Sequence, residues 1–407
     1  MNKVSVSIIL IYCLGFTGIC YSQVVVNYNT DNSDLPFNTV RCIEWHDEAI
    51  WVGTETGLAQ FKNEQWEIYD SGNSELYSDN IRSLKSDGDS LLWIGTMQGG
   101  LFCFDGTTWT NYNYANSGLT DNIVRSIEID HNANIWMATT EGIFMYDRSD
   151  WYHWNMQNNN LQTNNINDIQ VGFHNEKYVG TTNGGIIYFD SLNTFTEYTI
   201  MNSDLPDNSV VDIALDQYGQ PWFISPAAGL VQDTDVGGPW IIFNNTNSGI
   251  PSNALNCIEM NGNELIIGSQ LSGLIIKNDN SWSYINSNNS DLPDDNVLSL
   301  KKDLNNNIWV GTYNGGLCKI SFDNGIQLSQ NKPMNIYPNV IQAGQNIHFT
   351  KAYTGNIKIY NYLGAVILED QLDYQETFTL PLSSAKGRYY ITLTNKTNVY
   401  TESLILN

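Results

Sequence analysis

Leu35-Pro36-Phe37-Asn38-Thr39-Val40-Arg41-Cys42-Ile43-Glu44-Trp45 is followed, after a short turn, by Ile50-Trp51-Val52-Gly53-Thr54-Glu55-Thr56-Gly57-Leu58. These are two brief apolar runs bounded by turn residues, each too short for a helix and spaced as a hairpin would space them. The same order returns six more times. The leading apolar residues are Leu35, Leu76, Leu119, Leu161, Leu205, Ile250 and Leu292, at spacings of 41, 43, 42, 44, 45 and 42 residues. Trp-Val-Gly-Thr recurs as Trp93-Ile94-Gly95-Thr96, Trp136-Met137-Ala138-Thr139, Tyr178-Val179-Gly180-Thr181 and Trp309-Val310-Gly311-Thr312. Its most altered copies are Trp222-Phe223-Ile224-Ser225 and Ile266-Ile267-Gly268-Ser269. Each unit parses into four strands, in the first case Val40 to Trp45, Ile50 to Thr54, Leu58 to Phe61 and Trp66 to Tyr69. Four short strands in about 42 residues, repeated in tandem, predict a β-propeller blade. No sustained 3.6-residue period supports an α-solenoid.

The seventh unit lacks a fourth strand after Cys318-Lys319-Ile320, whereas Val25-Val26-Asn27-Tyr28 stands ahead of the first unit at the matching offset. This N-terminal strand is expected to complete blade seven and close the ring, removing a sheet edge. The fold class expected is all-β, a seven-bladed β-propeller over residues 23–328, then a linker over 329–334 and a small β-sandwich over 335–407.

The 407 residues carry 43 Asp+Glu against 18 Lys+Arg, a formal charge of −25. That balance argues against nucleic acid and anionic lipid as partners, since both need a basic face. Charged residues are only 15% and aromatics 12%, too apolar a mix for an acidic disordered chain. Residues 1–22 read as a signal peptide, with Lys3 before the apolar run Val4 to Ile19 and small residues before Gln23. Cys20 would be the acylated residue of a lipoprotein, but Ile19 stands where such leaders carry a small residue. No membrane span is expected elsewhere.

With the repeats in place, the chain resembles the two-component regulator propeller repeat, a family whose propellers form periplasmic sensors of hybrid histidine kinases. Those sensors continue into a membrane helix and kinase core, which these residues do not contain. The last segment is similar to the type A sorting domain of type IX secretion cargo. The resemblance rests on Tyr337-Pro338-Asn339, on Tyr360 to Gly364 and on Gly387-Arg388-Tyr389, with Val340 replacing the usual proline. It implies the type IX secretion machinery as a partner, and a secreted location, extracellular or on the outer cell surface.

Candidate chemistry is sparse. Arg41, Arg82 and Arg125 fall at one repeat position, six residues after the leading Leu, where later units carry Asn167, Val211, Asn256 and Leu298. Such a set would aim guanidinium forks at one sector of the channel mouth, suited to a carboxylate or sulfate. Arg41, Arg82, Arg125, Asn167 and Asn256 are the candidate ligand-binding residues; pairing of the arginines with Asp79 or other acids is the structural alternative. A second ring, Asn38, Asp79, Asn122, Asn164, Asn208, Asn253 and Asp295, reads as turn residues bonding their own backbone. Cys42 matches Cys257 and Cys103 matches Cys318 in non-adjacent blades, too far apart for disulfides. Asp130 to Asn134 and Asp303 to Asn307 have oxygen spacing that allows a weak calcium site, but they lack the Gly and distal Glu of an EF-hand, so no cofactor is expected. No hydrolase or P-loop motif occurs. The function expected is a binding module for a glycan or protein ligand. A propeller polysaccharide lyase or glycosidase, or a detached sensor partnering a membrane histidine kinase, are the alternatives.

Overall fold

The computed structural model describes residues 5–10, 22–88, 90–234, 239–261, 264–278, 281–323, 336–337, 340–341, 346–361, 366–379, 387–394 and 399–406. The propeller is seven sheets, six of them running from an inner strand outward in chain order. The inner strands are Val40–His46, Ile81–Ser86, Val124–Ile129, Ile166–Val171, Asp212–Leu215, Leu255–Asn261 and Val297–Lys302. In the last sheet Ser22–Tyr28 lies beside Leu317–Asp323 as the fourth strand, so the chain's early strand closes the ring. Tyr28 there packs on Phe61, Trp66 and Trp309, rings of blades one and seven. Ser5–Leu10, inside the expected signal segment, lies along Ser22–Tyr28 as a fifth strand. Lys3 and Cys20 lie outside the described residues. One short helix, Met156–Asn159, precedes blade four. Among the described residues no helix is long and apolar enough to cross a membrane.

Three repeat positions hold each blade together. The Gly of Trp-Val-Gly-Thr is required by close approach: a Cβ on Gly95 would stand 2.2 Å from Ser83 Oγ and 2.8 Å from the Val124 carbonyl of the next blade. The Thr hydroxyl closes the following hairpin, as Thr181 Oγ1 does on the Gly185 carbonyl at 2.8 Å. Gly185 itself sits at φ +81°, where a side chain would strike the Tyr198 carbonyl. The abundant Asn serves the loops between blades. Asn32 Oδ1 accepts the Asn29 N–H at 2.8 Å while its Nδ2 donates to the Asn27 carbonyl at 3.0 Å. Asn73, Asn116, Asn158, Asn202, Asn247 and Asn289 repeat both bonds. The side-chain amide supplies an acceptor and a donor at once, whereas an ionised Asp offers acceptors alone, and all seven positions carry Asn.

The C-terminal unit is built on a long hairpin of Asn346–Asn361 and Val366–Thr379. Its register breaks between His348 and Gly355, and the near half pairs Ile336–Tyr337 while the far half pairs Gly387–Thr394. Val399–Leu406 then adds to Gly387–Thr394, and Val340–Ile341 adds to it in parallel.

Candidate functional site: the mouth and wall of the central channel

A β-bulge decides which side chains face the channel. In blades one, two, three, four, six and seven the inner-strand register skips one residue, between Val40 and Cys42, Ile81 and Ser83, Val124 and Ser126, Ile166 and Asp168, Leu255 and Cys257, and Val297 and Ser299. A bulged residue has no partner opposite and its side chain is re-aimed. The skipped residues are Arg41, Arg82, Arg125, Asn167, Asn256 and Leu298, and all of them line one cavity of about 300 Å³ at the centre of the ring. The cavity brings together Arg41, Arg82, Arg125, Lys85 and Lys301, from only 18 Lys+Arg in the whole chain. Glu44, Glu128, Asp168, Asp212 and Glu259 share the lining, so the positive charge is local to the sector of the three arginines.

The three arginines have different partners. Arg41 is ion-paired with Glu55, its Nε donating to Oε1 at 3.1 Å, and lies 6.0 Å from the Tyr313 ring centroid. Arg125 donates to the Ile166 carbonyl at 3.2 Å and to Asn167 Oδ1 at 3.3 Å. Arg82 stands between them, and its buried Nε has no hydrogen-bond partner among the described residues. Burial, with Arg41 and Arg125 near, pulls Arg82 below the usual guanidinium value. Asn167 Nδ2 donates to the Val210 carbonyl at 2.8 Å, and Asn256 Nδ2 to the Val297 carbonyl at 2.8 Å, so both amides tie one blade to the next.

One residue further along each inner strand stand Cys42, Ser83, Ser126, Asp168, Asp212, Cys257 and Ser299. Cys42, Ser83, Cys257 and Ser299 tuck under the Gly of the second strand. Asp168 and Asp212 instead share a side-chain hydrogen bond across blades four and five, where two like charges cannot both persist. Asp168 also accepts from Ser126 Oγ at 2.7 Å and the Ile213 N–H at 3.1 Å, and Asp212 from the Ile258 N–H at 2.7 Å. Burial pushes Asp168 up to about 6, and burial plus the neighbouring Asp168 raises Asp212 well above the carboxylate range. Both shifts favour the protonated form where the two carboxyls meet. Deeper in the channel, Lys85 bonds Glu128 at 2.6 Å and Lys301 bonds Glu44 at 2.9 Å. Glu259 stands on the same wall, and burial lifts it to about 7 against the pull of Lys301. Asp168, Asp212 and Glu259 were absent from the sequence candidates. Their trace in the aligned repeats is two adjacent acids at a position otherwise held by Ser or Cys.

The remaining candidates have structural partners. The Asn/Asp ring does not bond its own backbone: Asn38, Asp79, Asn122, Asn164, Asn208, Asn253 and Asp295 each accept the N–H eight residues earlier, pinning the inter-blade loop. Asp79 is therefore engaged by Ser71 and not by an arginine. In the two calcium-like turns Asp130 and Asp303 give both oxygens to N–H donors, including the indoles of Trp136 at 3.0 Å and Trp309 at 2.9 Å. The four cysteines of the propeller are free thiols. Of the sorting residues, Tyr337 lies on Ile336–Tyr337 and Gly387 and Tyr389 on Gly387–Thr394, while Pro338, Asn339 and Gly364 lie outside the described residues.

No curated protein matches the chain in sequence. Among solved structures, the extracellular domain of a hybrid two-component system from B. thetaiotaomicron is similar at TM-score 0.64 and 17% identity, over 95% of this chain and 60% of its own. PorZ, described as an essential surface component of the type-IX secretion system of Porphyromonas gingivalis, is similar at TM-score 0.61 and 15% identity, over 95% of this chain and 64% of its own. Virginiamycin B lyase from Staphylococcus aureus is similar at TM-score 0.60 and 15% identity, over 74% of this chain and 99% of its own. This chain spans about three fifths of the first two proteins, and at such identities the likeness is one of fold. Residues 335–407 match the family described as secretion system C-terminal sorting domain. They are a sorting domain of the type IX kind, and the seven-bladed propeller that precedes them belongs to a protein sent to the cell surface or the extracellular space.

Proposed function

We propose that the propeller is a binding module, displayed or released after export through its sorting domain and the type IX machinery, whose channel mouth takes an acidic group of a glycan or protein ligand. The observation that carries this reading is Arg82, a half-buried guanidinium on the cavity wall whose Nε lacks an acceptor. Leaving a charged donor unmet costs free energy that a carboxylate or sulfate returns as affinity. Catalysis has less support. The cavity lining includes neither His nor Tyr, the residues a propeller lyase would use. The Asp168–Asp212 carboxyls touch each other, whereas glycosidase carboxyls stand roughly 5–10 Å apart to admit the sugar or water.

Polygalacturonate oligomers measured by calorimetry provide the test. Arg82→Ala is expected to weaken binding at least tenfold while the folded state, followed by near-UV circular dichroism, is retained. Equal affinity of the variant and the parent overturns the assignment.

A further inference from the structure

In three blades the turn between the first two strands supplies an acceptor to the indole beneath it; in blade two, which also carries an Asp at that position, Asp87, the buried Trp93 Nε1 has no partner among the described residues. In blades three and seven that turn runs over Asp130 to Asn134 and Asp303 to Asn307, and its first Asp accepts the indole N–H. In blade five Asp216 does the same for Trp222 at 3.4 Å. Blade one has only Asp47-Glu48, both at positive φ (48° and 58°), joining Val40–His46 to Ala49–Thr54. Among the described residues no acceptor stands over Trp51, which is 2% exposed and whose buried Nε1 has no partner.

Trp51 lines a cavity of about 380 Å³ between blades one and two, on the face of the ring opposite the arginines. One side is aromatic: Trp51 stacks with Tyr69 at 5.7 Å and 18°, and Phe104 stands edge-on to Trp51 at 5.9 Å. The register places Trp51 opposite Gln60, and Gln60 opposite Glu67, in one row across three strands. Gln60 and Glu67 border the cavity, with Asp47 and Asp105 on its rim. His46 is taken by Ser86 Oγ at 2.8 Å, and Lys62 by Asp47 at 2.9 Å.

This chemistry selects its occupant. The carboxylates repel an anion, and a bare cation offers the indole N–H no acceptor. A neutral ring dense with hydroxyls offers acceptor oxygens to the indole, hydroxyl protons to Gln60 and Glu67, and an apolar face to the aromatic wall. We propose that this cavity is a subsite for a neutral sugar ring, with the Trp51 indole donating to a ring or hydroxyl oxygen and Gln60 and Glu67 accepting hydroxyl protons. It stands on residues that the channel mouth does not use.

The test titrates the full chain with glucose, galactose, mannose, lactose and cellobiose, reading saturation transfer and calorimetric affinity. At least one sugar is expected to receive saturation and bind. Trp51→Phe and, separately, Gln60→Ala are expected to weaken it by about fivefold, the worth of one hydrogen bond. Gln60→Ala changes a part-exposed side chain and keeps the test decisive if Trp51→Phe fails to fold. Arg82→Ala is expected to leave sugar binding unchanged, which separates this pocket from the channel mouth. Absence of transfer to every sugar overturns the proposal. So does binding that is indifferent to both pocket variants, or that is lost in Arg82→Ala.

Discussion

Blades three and one carry a tryptophan at the same strand position, yet the two indoles sit in opposite circumstances. Under blade three, Trp136 donates to Asp130, and the fully buried Lys177 stands 3.4 Å from that carboxylate and 4.7 Å from the Trp136 ring centroid, with its Nζ also on Asn193. Every polar group is used. Under blade one the turn is shorter, no carboxylate reaches the indole, and a cavity borders it. The repeat therefore fixes the wall of each blade, while the space beneath is filled by the protein in blade three and bordered by a cavity in blade one.

The strongest way to break this comparison is to empty the filled site. Asp130→Ala leaves Lys177 buried without its carboxylate, with Asn193 alone among the described residues as its hydrogen-bond partner, and a loss of about 3–5 kcal/mol is expected in urea unfolding. A loss below about 1 kcal/mol would mean that Lys177 finds water and that the blade-three cluster is looser than its geometry. The second effect belongs to the channel wall, where the same contrast of filled and charged positions recurs. Burial raises Asp168 from 3.8 to about 6, and burial with Asp168 beside it raises Asp212 further, so the folded state keeps protons that the unfolded chain releases from the ordinary carboxylate range upward. Stability is then lost as pH rises through this window and is fully present below it. Asp212→Asn keeps a donor toward Asp168 and an acceptor for Ile258. It is expected to flatten the pH dependence and raise stability at pH 8 by an amount on the order of 1–3 kcal/mol. An unchanged slope of melting temperature against pH would remove the protonated pair from the account. The smallest effect sharpens the comparison directly. Trp136→Phe and Trp51→Phe trim the same ring, so their difference isolates the hydrogen bond. Trp136→Phe is expected to cost about 1–2 kcal/mol more than Trp51→Phe. Equal costs would show that the Trp51 indole is already satisfied.

The propeller was legible because its evidence is repeated. A Trp-Val-Gly-Thr run every 42 residues or so, with a spare strand at Val25 to Tyr28 and none after Ile320, leaves few architectures open. Arg41, Arg82 and Arg125 could be placed at one position, but not their fates, because Glu55 and the Ile166 carbonyl come from elements whose approach depends on the bulge. The bulge itself has no residue signature; Arg, Asn and Leu all occupy it. The Asp168–Asp212 pair was hidden for a different reason. Either acid alone reads as a solvated residue, and only ring geometry makes neighbours of residues 44 positions apart. The pocket under Trp51 left one trace, the absence of a five-residue turn, and a missing turn is easily read as mere variation in a loop.

Ring closure has a kinetic consequence. The bonds that seal the ring join the most distant parts of the chain: Asn27 Nδ2 to the Asp291 carbonyl, Ser299 Oγ to the Val40 carbonyl and Lys301 to Glu44, at separations of 264, 259 and 257 residues. Closing a loop of that size costs roughly 5 kcal/mol of chain entropy before any contact is made. The early strand Ser22–Tyr28 must therefore wait for blade seven, and until then the propeller is an open arc. During that interval the strand Ser22–Tyr28 of one copy fits the open edge of another equally well. Exchange of that strand between copies is the misassembly this architecture invites, and dilution during refolding is what guards against it.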